Sequence, residues 1–385
     1  MKSLTTHLRR RTTSGNWIPE LDGLRFVAIV SVVLFHLQGQ LLHHGADASD
    51  APYITRLFGN GNRGVPLFFL ISGFILARPF AEHYLFARPY PSLRKYFTRR
   101  VTRLEPPYIV NLLLIGGFLV FVEHQAWRVV LPHVMASMVY LHYAIYHTFS
   151  TINSVAWSLE IEVQFYILAP LLAMLFAVKH PAGRRILMLV LMAAAAALQI
   201  AAHLGPATLA GQLQYFLAGL LFADMYLLVL PRWKHTWKWD VLSLAGWPTL
   251  FLLAENAWVG LWLPFLTLLL CIAAFRGVAV YAALRQPWVA VIGGMCYTIY
   301  LWHAPVMTFV QRLTAGVPLL NPRNFGLLFL VEGILKVLAI AAVSLTLFLL
   351  VERPCMDSKW PQKLWARLHG RHVATAPLPA IAEET

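Results

Sequence analysis

The amino-acid sequence predicts an all-α, polytopic membrane protein with about ten transmembrane helices and both termini in the cytoplasm. Two features of composition support this fold class. Hydrophobic residues make up 59% of the 385 residues and charged residues only 12%, whereas a soluble domain has about 25% charged residues. The apolar residues are also gathered into long segments, and most basic residues lie between them. Most of the chain is therefore expected to face lipid or protein rather than water.

Ten segments are apolar over the length of about 20 residues that a bilayer crossing requires. In chain order they cover residues 21–43, 64–80, 105–123, 157–178, 185–204, 209–230, 240–256, 258–276, 288–311 and 326–351. The second segment is short, and we expect it to be tilted or partly buried in protein. The segment 128–147 is rich in histidine and interrupted by Pro132. We predict that this segment is interfacial or re-entrant rather than a span.

The basic residues define the predicted orientation. If the N-terminus lies in the cytoplasm, 24 of the 31 Lys and Arg residues fall on cytoplasmic segments and 5 on external ones. This asymmetry is what the positive-inside rule requires. Counting 128–147 as a span would place every later segment on the opposite side of the membrane and remove the asymmetry. The net charge of +14 is thus explained by topology and by attraction to anionic lipids, and no nucleic-acid partner is expected.

The chain is predicted to form one membrane domain, residues 17–355. A cytoplasmic segment, 1–16, precedes it, and a cytoplasmic tail, 356–385, follows it and is expected to be partly disordered. The first apolar run has no cleavage-type site after it, so we expect it to stay in place as an anchor. The three cysteines lie in or beside apolar segments. Their spacing matches neither a disulfide framework nor a metal site, and no metal is expected.

The first predicted span, "ELDGLRFVAIVSVVLFHL" (20–37), contains Asp22, Arg25 and His36. Arg25 and His36 are 11 residues apart, so on a helix they fall within about 20° of each other and about 16 Å apart. Polar residues inside a membrane are costly and usually line a cavity. The alternative is an arginine that reaches the headgroups and a histidine bonded to a neighbouring helix. In a cavity, a neutral His36 is suited to act as a general base.

Further motifs follow this polar stripe of Asp22, Arg25 and His36 in chain order. They are "LFFLISGFIL" (67–76), "RRVTRLEPPY" (99–108), "VAWSLEIEVQFY" (155–166), "CYTIYLWHAPV" (296–306) and "VERP" (351–354). Together with Arg25 and His36, these motifs resemble the acyltransferase-3 family of integral membrane O-acyltransferases. The resemblance runs from about residue 17 to 355. Cys296 stands where serine is commoner in that family.

The resemblance implies an acyl-CoA donor, with acetyl-CoA expected, that enters from the cytoplasm. It implies an acceptor hydroxyl on a sugar, in a cell-surface polysaccharide or glycolipid, and a location in the inner membrane of a bacterium. It further implies that Arg100 and Arg103 contact the phosphates of coenzyme A, and Arg25 is expected to add to that site. An ordinary positive-inside segment is the alternative explanation for the arginine pair.

Ser72 and Gly73 are expected to break the second span and to narrow the channel around the thioester or the pantetheine arm. Glycine permits close backbone approach, and serine offers a hydroxyl. The alternative is packing of small residues between helices, which is common in membranes.

The outer half of the channel is expected to hold the remaining site residues. Glu162 is placed near the outer start of the fourth span, where it would orient a histidine or contact a sugar hydroxyl. His303 is expected in the same half. Three aromatic residues are predicted to contact the acceptor: Trp302, Trp157 and Tyr166. A structural salt bridge for Glu162 and a buried core histidine for His303 are the alternatives.

We expect direct transfer, in which His36 removes the proton of the acceptor hydroxyl and the hydroxyl attacks the thioester. An acyl-enzyme on a serine or histidine is the alternative, although the sequence contains no nucleophile elbow. Two other functions stay open. One is acylation of a small secondary metabolite such as an antibiotic sugar. The other is proton-coupled transport, against which the lack of an inverted repeat counts.

Overall fold

The computed structural model describes residues 5, 8–10, 17–43, 49, 51–314, 325–357, 360–362 and 365. Within these ranges every regular element is helical. The α-helices are α1 (Pro19–His43), α2 (Pro52–Gly59), α3 (Gly64–Phe86), α4 (Leu93–Phe121), α5 (Trp127–Met138), α6 (His142–Tyr146), α7 (Trp157–Leu172), α8 (Pro181–Ala201), α9 (Leu209–Leu228), α10 (Trp237–Leu252), α11 (Ala257–Arg276), α12 (Ala279–Leu284), α13 (Pro287–Gly294), α14 (Cys296–Thr314), α15 (Phe325–Leu347) and α16 (Arg353–Cys355). Short 3₁₀ segments connect some of them, and a π-helical segment covers Phe348–Glu352.

Seven helical segments in the described part of the chain are long and apolar enough to cross a membrane. The number is eight if α13 and α14, which are bent by 67° at their junction, count as one span. These segments coincide with eight of the ten predicted spans and confirm an all-α polytopic fold. Of the other two, α10 has only 16 residues, and α9 carries two glutamines and an aspartate but is largely buried. The cytoplasmic location of the termini stays a prediction.

The segment 128–147 does not form a span, as predicted. It folds into α5, with 12 residues, and α6, with 5 residues. Neither is long enough to cross a hydrocarbon core. The side chains of His133 and His142 hydrogen-bond each other at 2.9 Å. Most of the predicted disordered tail lies outside the described residues.

The centre of the bundle is the contact between α3 and α9. A Cβ atom on Gly73 would lie 2.4 Å from the carbonyl oxygen of Phe216, and one on Gly219 would lie 2.2 Å from that of Leu70. Only glycine allows the two backbones to approach this closely. The helix continues through Ser72 and Gly73, so the predicted break at this pair was wrong. Here Gly73 serves close helix packing.

Local capping explains where several helices begin. The side chain of Ser92 accepts a hydrogen bond from the backbone N–H of Lys95 at the start of α4. Thr208 caps α9 in the same way, and Asn256 caps α11. These side chains satisfy backbone N–H groups that have no partner within the helix. Because α4 begins at Leu93, the basic block before the third predicted span is helical and continuous with that span. This block consists of Arg94, Lys95, Arg99, Arg100 and Arg103.

Candidate functional site

Two cavities lie at different depths along α1. We call them the inner and outer cavities, according to the predicted orientation. The inner cavity has a volume of about 110 Å³ and contains the side chain of Arg25. The outer cavity has a volume of about 560 Å³ and contains the side chain of His36. Val65 and Tyr300 line both. The polar stripe predicted on the first span therefore opens into two adjoining cavities.

Arg25 is held at the inner cavity by a buried carboxylate. Its Nη1 lies 2.5 Å from Oδ1 of Asp22, whose side chain is only 1% exposed. Asp22 also pairs with Nε of Arg10 at 3.1 Å and accepts a hydrogen bond from the indole N–H of Trp17 at 2.8 Å. The Asp22–Arg25 pair was expected from its spacing on the helix. The second arginine at this carboxylate, Arg10, was not found by sequence reasoning.

Arg100 and Arg103 both line the inner cavity, because residues three apart on α4 share a face. Arg103 lies 3.8 Å from the buried Glu352, which also accepts a hydrogen bond from the backbone N–H of Thr298 at 3.2 Å. Arg100 instead lies 5.7 Å from the ring centre of Tyr166. Within the described part of the chain, Arg100 forms no ion pair. The Nε atoms of both arginines are buried without a hydrogen-bond partner there.

Glu162 lines the inner cavity and not the cavity of His36. The Oγ–H of Ser72 donates to its Oε1 at 2.7 Å, and both residues line the inner cavity. Since α7 begins at Trp157, Glu162 is about one and a half turns further in and faces α3. The expected contact of Glu162 with a histidine is not formed among the described residues. Tyr166, one turn further along α7, lines the same inner cavity, away from the predicted acceptor side.

His36 lines the outer cavity, and His303 lies directly behind it. The two ring centres are 5.0 Å apart. His303 is fully buried, and its Nδ1 lies 2.7 Å from the carbonyl oxygen of Tyr300. A carbonyl oxygen only accepts, so Nδ1 carries the proton and Nε2 has a free lone pair. That Nε2 is buried and has no partner in the described structure. His303 can therefore support His36 without lining either cavity.

The three aromatic residues that were predicted to contact the acceptor do not line the same cavity. Trp157 lines the outer cavity. Trp302 instead packs against two hydrophobic clusters, one containing Leu301 and the other Met307. Neither cavity includes Trp302 among the described residues that line it. Of the three predicted acceptor contacts, only Trp157 lies in the cavity of His36.

Tyr300 forms a fixed wall between the cavities. Its hydroxyl donates to the carbonyl oxygen of Val155 at 2.9 Å and accepts from Oγ of Ser158 at 2.7 Å. Its proton is thus already used, which leaves no donor to act on a substrate. Among the described residues no cluster of three His, Cys, Asp or Glu side chains is arranged to hold a metal.

Three amides of the outer cavity were also missed by sequence reasoning. Asn62, Gln212 and Gln214 line it, although none of the quoted motifs contains them. A hint was available for the glutamines, since two amides within three residues are unusual in a predicted span. No such hint exists for Asn62, which lies in a short connecting segment between α2 and α3.

Comparisons with known proteins give one consistent answer. A family model described as an acyltransferase domain matches residues 18–353. The O-acetyltransferase OatA of Staphylococcus aureus (strain NCTC 8325 / PS 47) is 24% identical over 330 residues, which cover 77% of this chain and 52% of that protein. The peptidoglycan O-acetyltransferase OatA of Listeria monocytogenes serovar 1/2a (strain ATCC BAA-679 / EGD-e) is 25% identical over 389 residues, which cover 90% of this chain and 57% of that protein. The chain spans about half the length of these curated relatives. No solved structure gives a significant match.

Proposed function

The chain belongs to the acyltransferase-3 family, and from this premise we propose that it transfers an acetyl group from cytoplasmic acetyl-CoA to a sugar hydroxyl. The acceptor is a cell-surface polysaccharide or glycolipid of a bacterium, and the enzyme lies in the inner membrane. One observation carries the proposal: a cavity lined by arginines adjoins a cavity lined by a histidine, with Val65 and Tyr300 between them.

The inner cavity suits the donor. Coenzyme A carries several phosphate charges, and guanidinium groups bind phosphate through paired, charge-assisted hydrogen bonds. Arg25, Arg100 and Arg103 all line this cavity. Arg100 has no carboxylate partner among the described residues, so its charge is available to a ligand. We assign the phosphates of the donor to Arg100 and Arg103, with Arg25 deeper along the channel.

We assign the pantetheine arm to the inner cavity, which Ser72, Glu162 and Tyr300 also line. The nucleotide is assigned to the mouth of this cavity, beside the arginines. The arm leads the thioester toward Val65 and Tyr300. Arg25 and His36 are about 16 Å apart along α1, so a donor that reaches from one to the other would cross about half of the hydrocarbon core. In this arrangement the donor and the acceptor approach from opposite sides.

The proposed reaction is a direct displacement. The acceptor hydroxyl lies in the outer cavity and gives its proton to His36 as its oxygen attacks the thioester carbonyl. A C–O bond forms, the C–S bond breaks, and the coenzyme A thiolate takes the proton from the imidazolium of His36. The products are the sugar ester and free coenzyme A. His303, 5.0 Å from His36, is assigned as a positioning residue.

An acyl-enzyme on Ser72 is the alternative route, and one contact favours it. Ser72 donates its proton to Glu162 at 2.7 Å inside the donor cavity, as a nucleophile does to its base. In that route acetyl would move first to Ser72 and then to the acceptor. Incubation with radiolabelled acetyl-CoA and no acceptor distinguishes the routes. Direct transfer predicts no stable label on the protein, and an acyl-enzyme predicts label on the Ser72 peptide.

Simple assays distinguish two alternative functions from the main proposal. A small secondary metabolite such as an antibiotic sugar would use the same residues, and it would be acetylated in place of envelope glycan. A proton-coupled transporter would neither bind nor cleave a thioester.

The test is acetyl transfer by the purified protein in nanodiscs, with radiolabelled acetyl-CoA and a cell-envelope glycan extract. The parent is expected to label the glycan. The variant His36→Gln is expected to bind coenzyme A as the parent does and to transfer at least about 100-fold more slowly, since a general base contributes at least that much. Equal labelling by both would remove His36 from the chemistry.

A further inference from the structure

Leu8 lies before the first span but packs against the end of the bundle that carries the inner cavity. It is buried in a hydrophobic cluster with Val291, Met295, Phe348 and Met356. These partners belong to α13, to its junction with α14, and to the chain on both sides of α16. The segment before the first span is therefore attached to the membrane domain at this point.

This packing brings Arg10 to the carboxylate of Asp22. The stem of Arg10 runs beside Gly294, where an added Cβ atom would lie 3.6 Å from it. The Nε of Arg10 lies 3.1 Å from Oδ2 of Asp22, and Nη1 of Arg25 lies 2.5 Å from Oδ1. The side chain of Asp22 is only 1% exposed. A single buried carboxylate is thus shared by two guanidinium groups.

Arg10 gives the surroundings of the inner cavity a positive charge in excess. Three guanidinium groups line this cavity, and three carboxylates either line it or pair with those groups. They are Arg25, Arg100 and Arg103, and Glu162, Asp22 and Glu352. Arg10 adds a fourth guanidinium, so this set of described residues carries one formal positive charge more than it carries negative ones. A donor that carries phosphate groups is attracted by that excess.

Arg10 also changes the effect of Asp22 on Arg25. In a one-to-one pair, Asp22 would cancel the charge of Arg25, and an anionic ligand would have to compete with Asp22 for the same guanidinium. Because Arg10 lies on the other oxygen, the pair becomes a group of two cations and one anion. This group is largely buried, so water and salt screen its field less than they screen a surface charge.

We propose that Arg10 is a positioning residue that neutralises Asp22 and so leaves the charge of Arg25 available to the anionic donor. This inference rests on the proposed function and adds the segment before the first span to the donor site. Arg10 is not among the described residues that line the inner cavity. It acts through Asp22 and Arg25, without touching the donor.

The test is isothermal titration of coenzyme A into the full chain in nanodiscs, at two salt concentrations. Arg10→Met removes the charge and keeps most of the apolar stem. Asp22 then still has Arg25 and Trp17 as partners, so the variant is expected to fold. Arg10→Lys restores the charge, and Arg10→Met combined with Asp22→Asn removes the carboxylate charge as well.

The matched control is Arg9→Met. Arg9 precedes Arg10, but it is exposed and lies over the ring of Trp17, so its charge is screened by solvent. Thermal unfolding is measured for every variant to verify folding.

We expect Arg10→Met to raise the dissociation constant for coenzyme A about 2- to 30-fold, the usual effect of a residue that acts on a ligand through a neighbour. The salt dependence of binding should become weaker. Arg10→Lys should bind nearly as the parent does, since an ammonium group also neutralises a carboxylate. The double variant should recover most of the lost affinity, because asparagine has the shape of aspartate and leaves no charge for Arg10 to neutralise. Arg9→Met should bind as the parent does.

Two results would overturn the inference and leave the proposed function standing. One is an unchanged dissociation constant in Arg10→Met. The other is a loss that Asp22→Asn does not reverse, because Arg10 would then act by anchoring its segment or by contacting the donor itself. Parent protein that does not bind coenzyme A would overturn the proposed donor together with this inference.

Discussion

The substitution Arg100→Met tests the donor site without disturbing a buried ion pair. Arg100 lines the inner cavity and has no carboxylate partner in the described chain, whereas removing Arg103 would leave the fully buried Glu352 without its cation. Methionine keeps most of the apolar stem and removes every hydrogen-bond donor. The variant should therefore fold normally and lose only ligand contacts.

The expected magnitude follows from one lost charge-assisted contact. A hydrogen bond to a charged group contributes about 1.5–3 kcal/mol, and each 1.4 kcal/mol is a factor of ten in affinity. The dissociation constant for coenzyme A should therefore rise about 10- to 150-fold, and the salt dependence of binding should become weaker. Isothermal titration calorimetry on nanodisc-embedded protein measures both quantities.

Arg99→Met is the matched control. Arg99 precedes Arg100 on the same helix, but it is exposed and does not line the inner cavity. Its substitution removes the same charge at nearly the same depth. Unchanged affinity in Arg100→Met, or an equal loss in both variants, would refute a specific phosphate contact. In the second case the basic block would act only as a general positive field.

Three further predictions concern the channel and its framework. Maleimide should label Cys296, which lines the inner cavity, and saturating coenzyme A should block that labelling. Labelling that persists with coenzyme A bound would place the donor elsewhere. Mass spectrometry identifies the modified residue, with Cys296→Ser as the control. Gly73→Ala should destabilise the protein by at least about 1–3 kcal/mol, since the new Cβ would overlap the backbone of α9. The control Gly39→Ala should not, because a Cβ there meets nothing within 4 Å. Equal melting temperatures of the two variants would contradict close packing at Gly73. Ser72→Ala should retain transfer to glycan if the displacement is direct, and loss of transfer with coenzyme A binding intact would favour the acyl-enzyme.

The features that were predicted correctly from the sequence each depend on the geometry of a single helix. Arg25 and His36 share a face because the helical period determines it, and the structure keeps both on the unbroken α1. The same period places Arg100 and Arg103 together on α4. Segment 128–147 was correctly excluded as a span because its proline, its histidines and the charge asymmetry all argued against one.

The features that were predicted wrongly depend on how distant helices pack. Glu162 was expected in the half of the channel that holds His36, but its contact with Ser72, 90 residues earlier, places it in the cavity of the arginines. For Gly73 the donor channel and helix packing were both open, and the close approach of α9 supports packing. Periodicity gives the relative angle of two residues on one helix and gives no information about the neighbouring helix.

The amides of the outer cavity show the same limit. Gln212 and Gln214 lie on α9, and Asn62 lies before α3. Their common property, a place in the lining of one cavity, exists only once the chain is folded. A polar residue in an apolar segment indicates a cavity, but the packing of the helices determines which residues line the same one.

The proposed mechanism requires the donor and the acceptor to reach the site from opposite faces of the membrane, which an assay of sidedness can measure. Radiolabelled acetyl-CoA is enclosed in proteoliposomes, and the glycan acceptor is supplied outside, with the orientation of the protein established by protease accessibility of its termini. Labelled external glycan is expected when the arginine-lined end faces the enclosed acetyl-CoA, and no label is expected from His36→Gln in the same vesicles. Transfer that occurs only when both substrates are on the same face would contradict the two-cavity mechanism.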